Sequence, residues 1–392
     1  MGLAAAAMPW TDTEDTDTED EERAMRRRLL LAAAFAATAL TGACTADPPP
    51  PPPAATATPV LTDGAMIAND GAPIPLHTWP AESALRAVIV AVHGMNDYGL
   101  AFDRPARLWA QAGIATYAID QRGFGKAMER GHWYGGERMA DDVVALSRLA
   151  RERHPGVPVY VLGESMGGAV VVLAAARAER GLLSGIVLSA PAVWGTGFRA
   201  TVTLDAAMIL GSLVPDMTVP PLRVATPSTD DPAVLRRMRE DPLIIHRTRF
   251  QTLAGIVDLM HDARFEARKV DVPVLLMLGD LDVHVPRDGV AALARSLPPD
   301  TRIALYPKGR HLLMRTLDGD RVTQDVASWV SDTRRALPSG ADARAQACPA
   351  LMTRPHRGCP PPRAVAAPRP PKPAIDGKTG NRLPTPATAP QN

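Results

Sequence analysis

The sequence predicts an α/β fold in which a mostly parallel, eight-stranded sheet is covered by helices on both faces. Short, continuously apolar segments alternate with longer segments of helical periodicity, as expected when parallel strands are buried between helices. Several apolar segments end in glycine and polar residues. One long, proline-rich stretch interrupts the alternation and predicts an insertion. These observations favour one doubly wound domain over residues 60–337.

The strand predictions rest on apolar runs that are bounded by turn residues. Residues 60–79 contain two weak strand signals around Asp70-Gly71, a dipeptide that favours hairpin turns. Six stronger runs follow, at residues 85–92, 114–119, 157–162, 186–189, 274–278 and 301–306. Helical patterns lie between them, at residues 101–112, 136–152, 167–179, 290–297 and 320–335.

Residues 195–270 break this rhythm and predict a helical cap after the sixth strand. The stretch is rich in proline, and an insertion after the C-terminal end of a strand lies over the ligand crevice of an open α/β sheet. Four apolar side chains near its end form a helical stripe: Leu253, Ile256, Val257 and Met260. The stripe is compatible with a cap helix or with ordinary core packing.

The two ends of the chain lack the pattern of a folded domain. Residues 1–24 carry an acidic run without apolar periodicity, and residues 338–392 are dominated by proline, alanine and arginine. We expect both to be disordered. Six consecutive prolines in residues 45–59 predict an extended linker. Cys348 and Cys359 are close enough in sequence to pair in an oxidising compartment.

Residues 25–44 have the pattern of an export signal. Three arginines precede an apolar run that is shorter than the roughly 20 residues needed to span a bilayer. The run closes on Thr41-Gly42-Ala43-Cys44, which resembles a bacterial lipoprotein box with Cys44 as the lipidated residue. Cleavage after Ala43 without lipidation also fits. We expect a bacterial protein that is exported, either periplasmic or tethered to a membrane through Cys44, and translation that begins at Met25 is an alternative.

Composition excludes several classes of function. The chain has 392 residues, a net charge of +1 and three cysteines, all outside the predicted domain. The near balance of charge makes nucleic acid an unsuitable partner. The placement of the cysteines excludes a cysteine-ligated metal site in the domain. No feature of the sequence indicates an oligomeric state.

The strand at residues 157–162 leads into Gly163-Glu164-Ser165-Met166-Gly167, a G-x-S-x-G motif between a strand and a helix. In that context a sharp turn holds the serine hydroxyl clear of the sheet. The helix that follows directs its free N–H groups towards the same point, where they would stabilise an oxyanion. The motif therefore predicts Ser165 as a nucleophile. A glycine-rich turn with an idle serine is the alternative.

A serine nucleophile needs a base and a residue that orients the base. Among the nine histidines, His311 follows the last predicted strand and is expected at the mouth of the crevice. Two acids, Asp280 and Asp282, follow the preceding strand, and either could reach an imidazole. We expect the oxyanion to be bound by the backbone N–H groups of Met166 and Met95, the latter in the loop after residues 85–92.

Four segments carry recognisable motifs: His93-Gly94-Met95, residues 120–125, residues 163–168 and residues 279–282. As a set they resemble the α/β-hydrolase superfamily, in its monoacylglycerol lipase and lysophospholipase-like branch, which includes serine aminopeptidase-type hydrolases. The spacing in that branch selects Asp282 as the acid and gives Asp120 and Arg122 structural roles only. It implies cleavage of lipid-like carboxylic esters through an acyl-enzyme, without a metal or cofactor.

Two other functions remain open at this point. The first is a peptidase that releases N-terminal residues, which would need an acidic group in the cap such as Glu240 or Asp241 to hold the substrate ammonium. The second is a non-catalytic lipoprotein that uses the fold as a binding module. The presence of Ser165, Asp282 and His311 in the order typical of the fold disfavours the second.

Overall fold

The computed structural model describes residues 57–195, 209, 211–220 and 226–348. The predicted acidic extension, the export segment with Cys44, most of the proline linker and the tail beyond Cys348 lie outside these residues. Within the described part of the chain, no helix is both long and apolar enough to cross a bilayer.

A mixed sheet of nine strands, counted over the described residues, forms the centre of the fold. The strands are β1 (Val60–Thr62), β2 (Ala65–Ile67), β3 (Pro73–Trp79), β4 (Ala87–Val92), β5 (Ile114–Ile119), β6 (Val159–Glu164), β7 (Gly185–Ser189), β10 (Val274–Gly279) and β11 (Arg302–Tyr306). They lie in the order β1-β2-β3-β5-β4-β6-β7-β10-β11. The first three strands and the β3–β5 pair are antiparallel, and all other neighbours are parallel.

The sheet has one strand more than the eight predicted, because residues 60–67 form a hairpin of their own. A tight turn at Asp63-Gly64 separates β1 from β2, and Gly64 has a φ of 77° that favours glycine. The turn predicted at Asp70-Gly71 does join β2 to β3. Counted along the sheet, the insertion therefore follows the seventh strand, β7, rather than the sixth.

Helices cover both faces of the sheet, as predicted. Their bounds are α1 (Asp103–Gln111), α2 (Gly136–Arg153), α3 (Met166–Arg177), α4 (Pro232–Glu240), α5 (Phe250–Glu266), α6 (Arg287–Ser296), α7 (Gly319–Ser331) and α8 (Ala341–Ala347). Alternate residues of the strand β4 point to opposite faces. Val88 and Val90 pack in the cluster that contains α2, α3, α5 and α6. Ile89 and Ala91 pack in the cluster that contains α1, α7 and α8.

The predicted cap is smaller than residues 195–270, because its last helix belongs to the core. Ile256 and Val257 of α5 are buried in the same cluster as α3, so the apolar stripe represents core packing. The described remainder of the insertion contains a two-stranded pair, β8 (Thr218–Val219) and β9 (Thr248–Arg249), and the helix α4. The helix α4 has no buried residue.

The folded domain continues past Leu337, so the predicted start of a disordered tail at residue 338 is wrong. The helix α8 packs beside β11 and is held by two ion pairs. Asp342 lies 2.9 Å from the Arg302 guanidinium, and Arg344 lies 2.6 Å from Asp280. The composition of the tail does not reveal this helix, because the residues that hold it against the domain, Arg302 and Asp280, lie elsewhere in the chain. Cys348, which follows α8, is disulfide-bonded.

Replacing Asp342 by alanine tests the contribution of α8 to stability. The carboxylate accepts hydrogen bonds from Arg302 and from the Leu337 N–H and is buried. Breaking a buried ion pair typically costs about 3 kcal/mol. We expect a loss of that size in the free energy of unfolding, measured by urea denaturation. Asp332→Ala is the control, since its ion pair with Arg334 is exposed and is worth less than about 1 kcal/mol. Equal losses in the two variants would contradict this account.

Candidate active site

Ser165 occupies a strained turn between the strand β6 and the helix α3. Its backbone has φ 55° and ψ −119°, a region that residues other than glycine rarely adopt. Main-chain hydrogen bonds hold it there. The Ser165 N–H donates to the Ser189 carbonyl at 3.0 Å, and the Ser165 carbonyl accepts from Gly168 and Ala192. The sheet therefore fixes the direction in which the hydroxyl points.

The glycines of the motif are required by close backbone contacts. A Cβ atom at Gly163 would lie 2.3 Å from the Gly167 carbonyl oxygen, and one at Gly167 would lie 2.1 Å from the Val92 carbonyl oxygen. Neither backbone atom can move without displacing β4 or α3. Any larger residue would therefore deform the turn that presents Ser165.

The structure brings Ser165, His311 and Asp282 together in one chain of hydrogen bonds. The Ser165 Oγ lies 2.8 Å from the His311 Nε2, and the His311 Nδ1 lies 3.0 Å from the Asp282 Oδ2. The three residues follow β6, β11 and β10 respectively. They meet because the carboxyl ends of parallel strands share one edge of the sheet.

Asp282 is held as a carboxylate. Burial raises its pKa, but hydrogen bonds from His284 and His311 outweigh burial and hold the pKa of Asp282 well below its usual range. Since a carboxylate can only accept, the His311 Nδ1 donates to it. The lone pair of the His311 Nε2 is then directed at the Ser165 hydroxyl. The His284 ring stacks on the His311 ring with centroids 4.8 Å apart, which makes it a wall of the site.

The rival acid, Asp280, faces elsewhere. Its carboxylate lies 2.6 Å from the Arg344 guanidinium of α8, whereas Asp282 bonds His311. The residues alone could not decide between these acids, because the position of α8 was not predicted.

Both predicted oxyanion donors belong to segments at Ser165. Met166 is the first residue of α3, and the first N–H groups of a helix have no partner within it. Met95 follows Gly94, where an added Cβ would lie 3.2 Å from the Ser165 Cβ. The loop after β4 thus runs directly past the serine side chain.

The loop that contains Met95 is supported by a buried histidine. The Gln121 N–H donates to the His93 Nε2 at 3.0 Å, so the His93 Nδ1 donates to the Gly94 carbonyl at 2.8 Å. Burial lowers the pKa of His93, which favours this neutral form. These contacts shape the turn that follows β4.

Asp120 and Arg122 have structural contacts, as the family resemblance implied. Asp120 accepts hydrogen bonds from the N–H groups of Gly99 and Lys126 and from His77. The Arg122 guanidinium lies 2.7 Å from Asp70 and 2.6 Å from Asp142.

Sequence reasoning missed a buried ion cluster that includes the residue next to Ser165. The Arg315 guanidinium lies 2.6 Å from the Asp97 carboxylate and 2.5 Å from the Glu164 carboxylate. Glu164 directly precedes Ser165 in the motif. A charged residue at the end of a buried strand needs a partner of opposite charge, so Glu164 could have indicated a buried ion pair.

Contacts between the Met95 loop and the cap were also missed. The Asn96 side chain donates to the Thr248 hydroxyl at 2.8 Å, and the Asn96 carbonyl accepts from the Ile245 N–H at 3.0 Å. The Tyr98 hydroxyl donates to Asp241 at 2.5 Å. These partners lie so far apart in sequence that no local pattern connects them.

One group of described side chains has the donor atoms of a metal site. Ligand atoms of Asp282, His284 and His311 lie within 4.8 Å of one another. Asp282 and His311 are already hydrogen-bonded to each other, and the His311 Nε2 faces Ser165. The arrangement suits proton transfer from the serine.

Comparison with known proteins agrees with this geometry. Residues 83–318 match the family described as serine aminopeptidase, S33. The chain belongs to this family. It is 30% identical over 263 residues to a monoacylglycerol lipase of Mycolicibacterium smegmatis, covering 66% of this chain and 93% of that protein. It is 28% identical over 289 residues to human monoglyceride lipase, covering 68% and 89%. The expected branch and the expected enzyme class, a carboxylic ester hydrolase, are confirmed.

Solved structures show the same fold. A monoacylglycerol lipase of Paleococcus ferrophilus matches with a TM-score of 0.57 and 24% identity, covering 66% of this chain and 98% of that one. A soluble variant of the Saccharomyces cerevisiae monoglyceride lipase matches with a TM-score of 0.59 and 20% identity, covering 73% and 96%. The predicted fold class is therefore confirmed.

The lowered pKa of Asp282 predicts a stability difference that depends on pH. A carboxyl with a lowered folded pKa stabilises the protein when ionised. That stabilisation is complete above the ordinary pKa of 3.8 and is lost as the pH falls through the folded value. Asp282→Asn should therefore lower the free energy of unfolding at pH 7, and the difference from wild type should shrink below about pH 4. Urea denaturation at pH 7 and pH 3 measures it, and an equal difference at both would contradict the assignment.

Proposed function

We propose that this protein cleaves carboxylic esters by a Ser165–His311–Asp282 triad through an acyl-enzyme. The hydrogen-bonded chain from the Ser165 Oγ through the imidazole to the Asp282 carboxylate supports this proposal most directly. A binding module would have no use for a strained serine aligned with a base and a buried acid, which disfavours the non-catalytic alternative.

In the proposed mechanism, the Ser165 Oγ attacks the ester carbonyl while the His311 Nε2 takes its proton. The carbonyl oxygen becomes an oxyanion, which the N–H groups of Met95 and Met166 bind. Each such donor is typically worth about 3 kcal/mol in the transition state. The imidazolium gives its proton to the departing alcohol as the C–O bond breaks. Water, activated by the same imidazole, then releases the acid and restores Ser165.

We infer that the substrate is lipid-like, of the monoacylglycerol or lysophospholipid class. The support is the similarity to monoacylglycerol lipases over about two thirds of the chain. The insertion after β7 also starts at the edge of the sheet where Ser165 projects, which suits a cap over an acyl pocket.

An aminopeptidase is the second candidate, favoured by the description of the matching family. It would need a free acidic group to bind the substrate ammonium. Asp241 already accepts hydrogen bonds from the Tyr98 hydroxyl and the Leu243 N–H, and Glu240 lies exposed on α4. Neither residue suggested by the sequence has the contacts of a prepared ammonium site.

Ester turnover by three variants tests the proposal. Ser165→Ala should abolish hydrolysis of p-nitrophenyl esters and labelling by a fluorophosphonate. Asp282→Asn should lower kcat about 10⁴-fold, because the amide N–H can donate to the His311 Nδ1 and hold the imidazole in the wrong tautomer. Asp280→Asn is the matched control and should keep kcat while lowering thermal stability, since Asp280 pairs with Arg344.

The opposite ranking of the two aspartate variants would assign the acid to Asp280. Wild type without labelling or turnover would refute the hydrolase function. Faster cleavage of aminoacyl amides than of acyl esters would favour the aminopeptidase.

We also propose that the protein is exported and tethered to a membrane through Cys44. The arginine-led apolar segment and the lipoprotein-like box support this, as does the disulfide bond of Cys348, since disulfides persist in oxidising compartments.

Expression of the full chain in a bacterial host tests the location. Wild type should partition with membranes, and Cys44→Ser should appear in the soluble periplasmic fraction. Cytoplasmic wild type would contradict export. A wild type that is soluble in the periplasm would contradict the tether and favour cleavage after Ala43.

A further inference from the structure

Arg315 is a buried residue that pairs with Glu164, the residue directly before Ser165. It ends a short 3-10 turn, Leu313–Arg315, that begins two residues after His311. Its side chain is 4% exposed, and each terminal nitrogen of its guanidinium contacts a different carboxylate. One nitrogen lies 2.6 Å from Asp97 and the other 2.5 Å from Glu164, and both carboxylates are buried.

These three residues belong to the three segments that must meet for the proposed reaction. Glu164 directly precedes Ser165, and Asp97 lies two residues after Met95. Arg315 lies four residues after His311. The guanidinium therefore connects the nucleophile, one oxyanion donor and the base through side chains that touch none of the reacting atoms.

The guanidinium of Arg315 fixes the relative positions of the two carboxylates that it binds. A guanidinium donates through a planar fork of fixed geometry, so its two bonds set the distance between Asp97 and Glu164. Burial makes the loss of either bond costly, because the freed carboxylate would lie unpaired in a medium of low dielectric constant. An ammonium group cannot reproduce the fork, although it keeps the charge.

We propose that Arg315 is a positioning residue that aligns the Ser165 turn, the Met95 loop and the His311 loop for attack on the ester. This inference rests on the proposed serine hydrolase function. Misplacing a reacting group by about 1 Å can cost about 100-fold in rate. The contribution of Arg315 should therefore appear in kcat and in transition-state binding more than in KM.

Arg122 provides a matched control. It is also a buried arginine between two carboxylates, Asp70 and Asp142. Asp70 lies in the turn between β2 and β3, and Asp142 lies in α2. Neither adjoins Ser165, Met95 or His311 in the sequence. Arg122→Lys should therefore weaken the fold as Arg315→Lys does without disturbing the site.

The experiment compares Arg315→Lys with Arg122→Lys in the full chain. Thermal unfolding, kcat and KM for a p-nitrophenyl ester, and inhibition by an alkyl boronic acid are measured. The boronic acid forms a tetrahedral adduct with a catalytic serine and reports on transition-state binding. We expect Arg315→Lys to lower kcat about 100-fold and to weaken inhibition by a similar factor, with KM little changed.

Arg122→Lys should lower the unfolding temperature by a comparable amount and retain kcat and inhibition. Glu164→Gln keeps the size of the side chain and one neutral hydrogen bond, so it guards against a failure of Arg315→Lys to fold. Glu164→Gln should also lower kcat, by a smaller factor than Arg315→Lys does.

Three results would overturn the inference. Arg315→Lys and Glu164→Gln could both keep wild-type kcat. The two lysine variants could lose kcat in equal measure, which would make the cluster purely structural. Wild type could lack turnover and fluorophosphonate labelling, which would refute the proposed function itself and is distinguishable from the first two results.

Discussion

The strained turn at Ser165 is the constraint on which the rest of this structure depends. Main-chain hydrogen bonds hold its positive-φ backbone, and β4, β6 and α3 approach each other there more closely than a side chain at Gly163 or Gly167 would allow. That close approach is set by the parallel pairing of β4 with β6. The core therefore determines the direction of one hydroxyl, and the loops after β10 and β11 need only reach it.

Around this turn, charged residues are buried in pairs rather than left to solvent. Arg315, in the segment after His311, pairs with the end of β6 and with the loop after β4, and Arg344 removes Asp280 from competition for the imidazole. A buried pair of this kind contributes little net stability over apolar packing, but it strongly disfavours any arrangement in which a partner is missing. These ion pairs therefore act mainly by fixing the positions of the segments around Ser165, and they add little to the free energy of unfolding.

The fold and the principal site residues were accessible from sequence because they depend on local patterns. Apolar runs located the strands to within a few residues, and the positions after those strands placed Ser165, His311 and the pair Asp280 and Asp282 at one edge. The family resemblance then selected Asp282. The interactions of Arg315 and of α8 were not accessible. Each depends on a partner distant in the chain, and a lone arginine has no local sequence pattern that distinguishes a buried ion pair from a solvated side chain. The hairpin of β1 and β2 was not predicted for another reason. Strands of three residues are too short to show a periodic pattern of apolar residues.

The central claim, that Ser165 is the residue acylated during turnover, is tested most directly by rapid-quench mass spectrometry. Wild-type protein is mixed with a slowly deacylated p-nitrophenyl ester, quenched within one turnover and digested. We predict one acyl group per protein, on the peptide that contains Ser165, formed at the rate of the nitrophenol burst. Turnover without a covalent adduct, or with an adduct on another residue, would contradict the account.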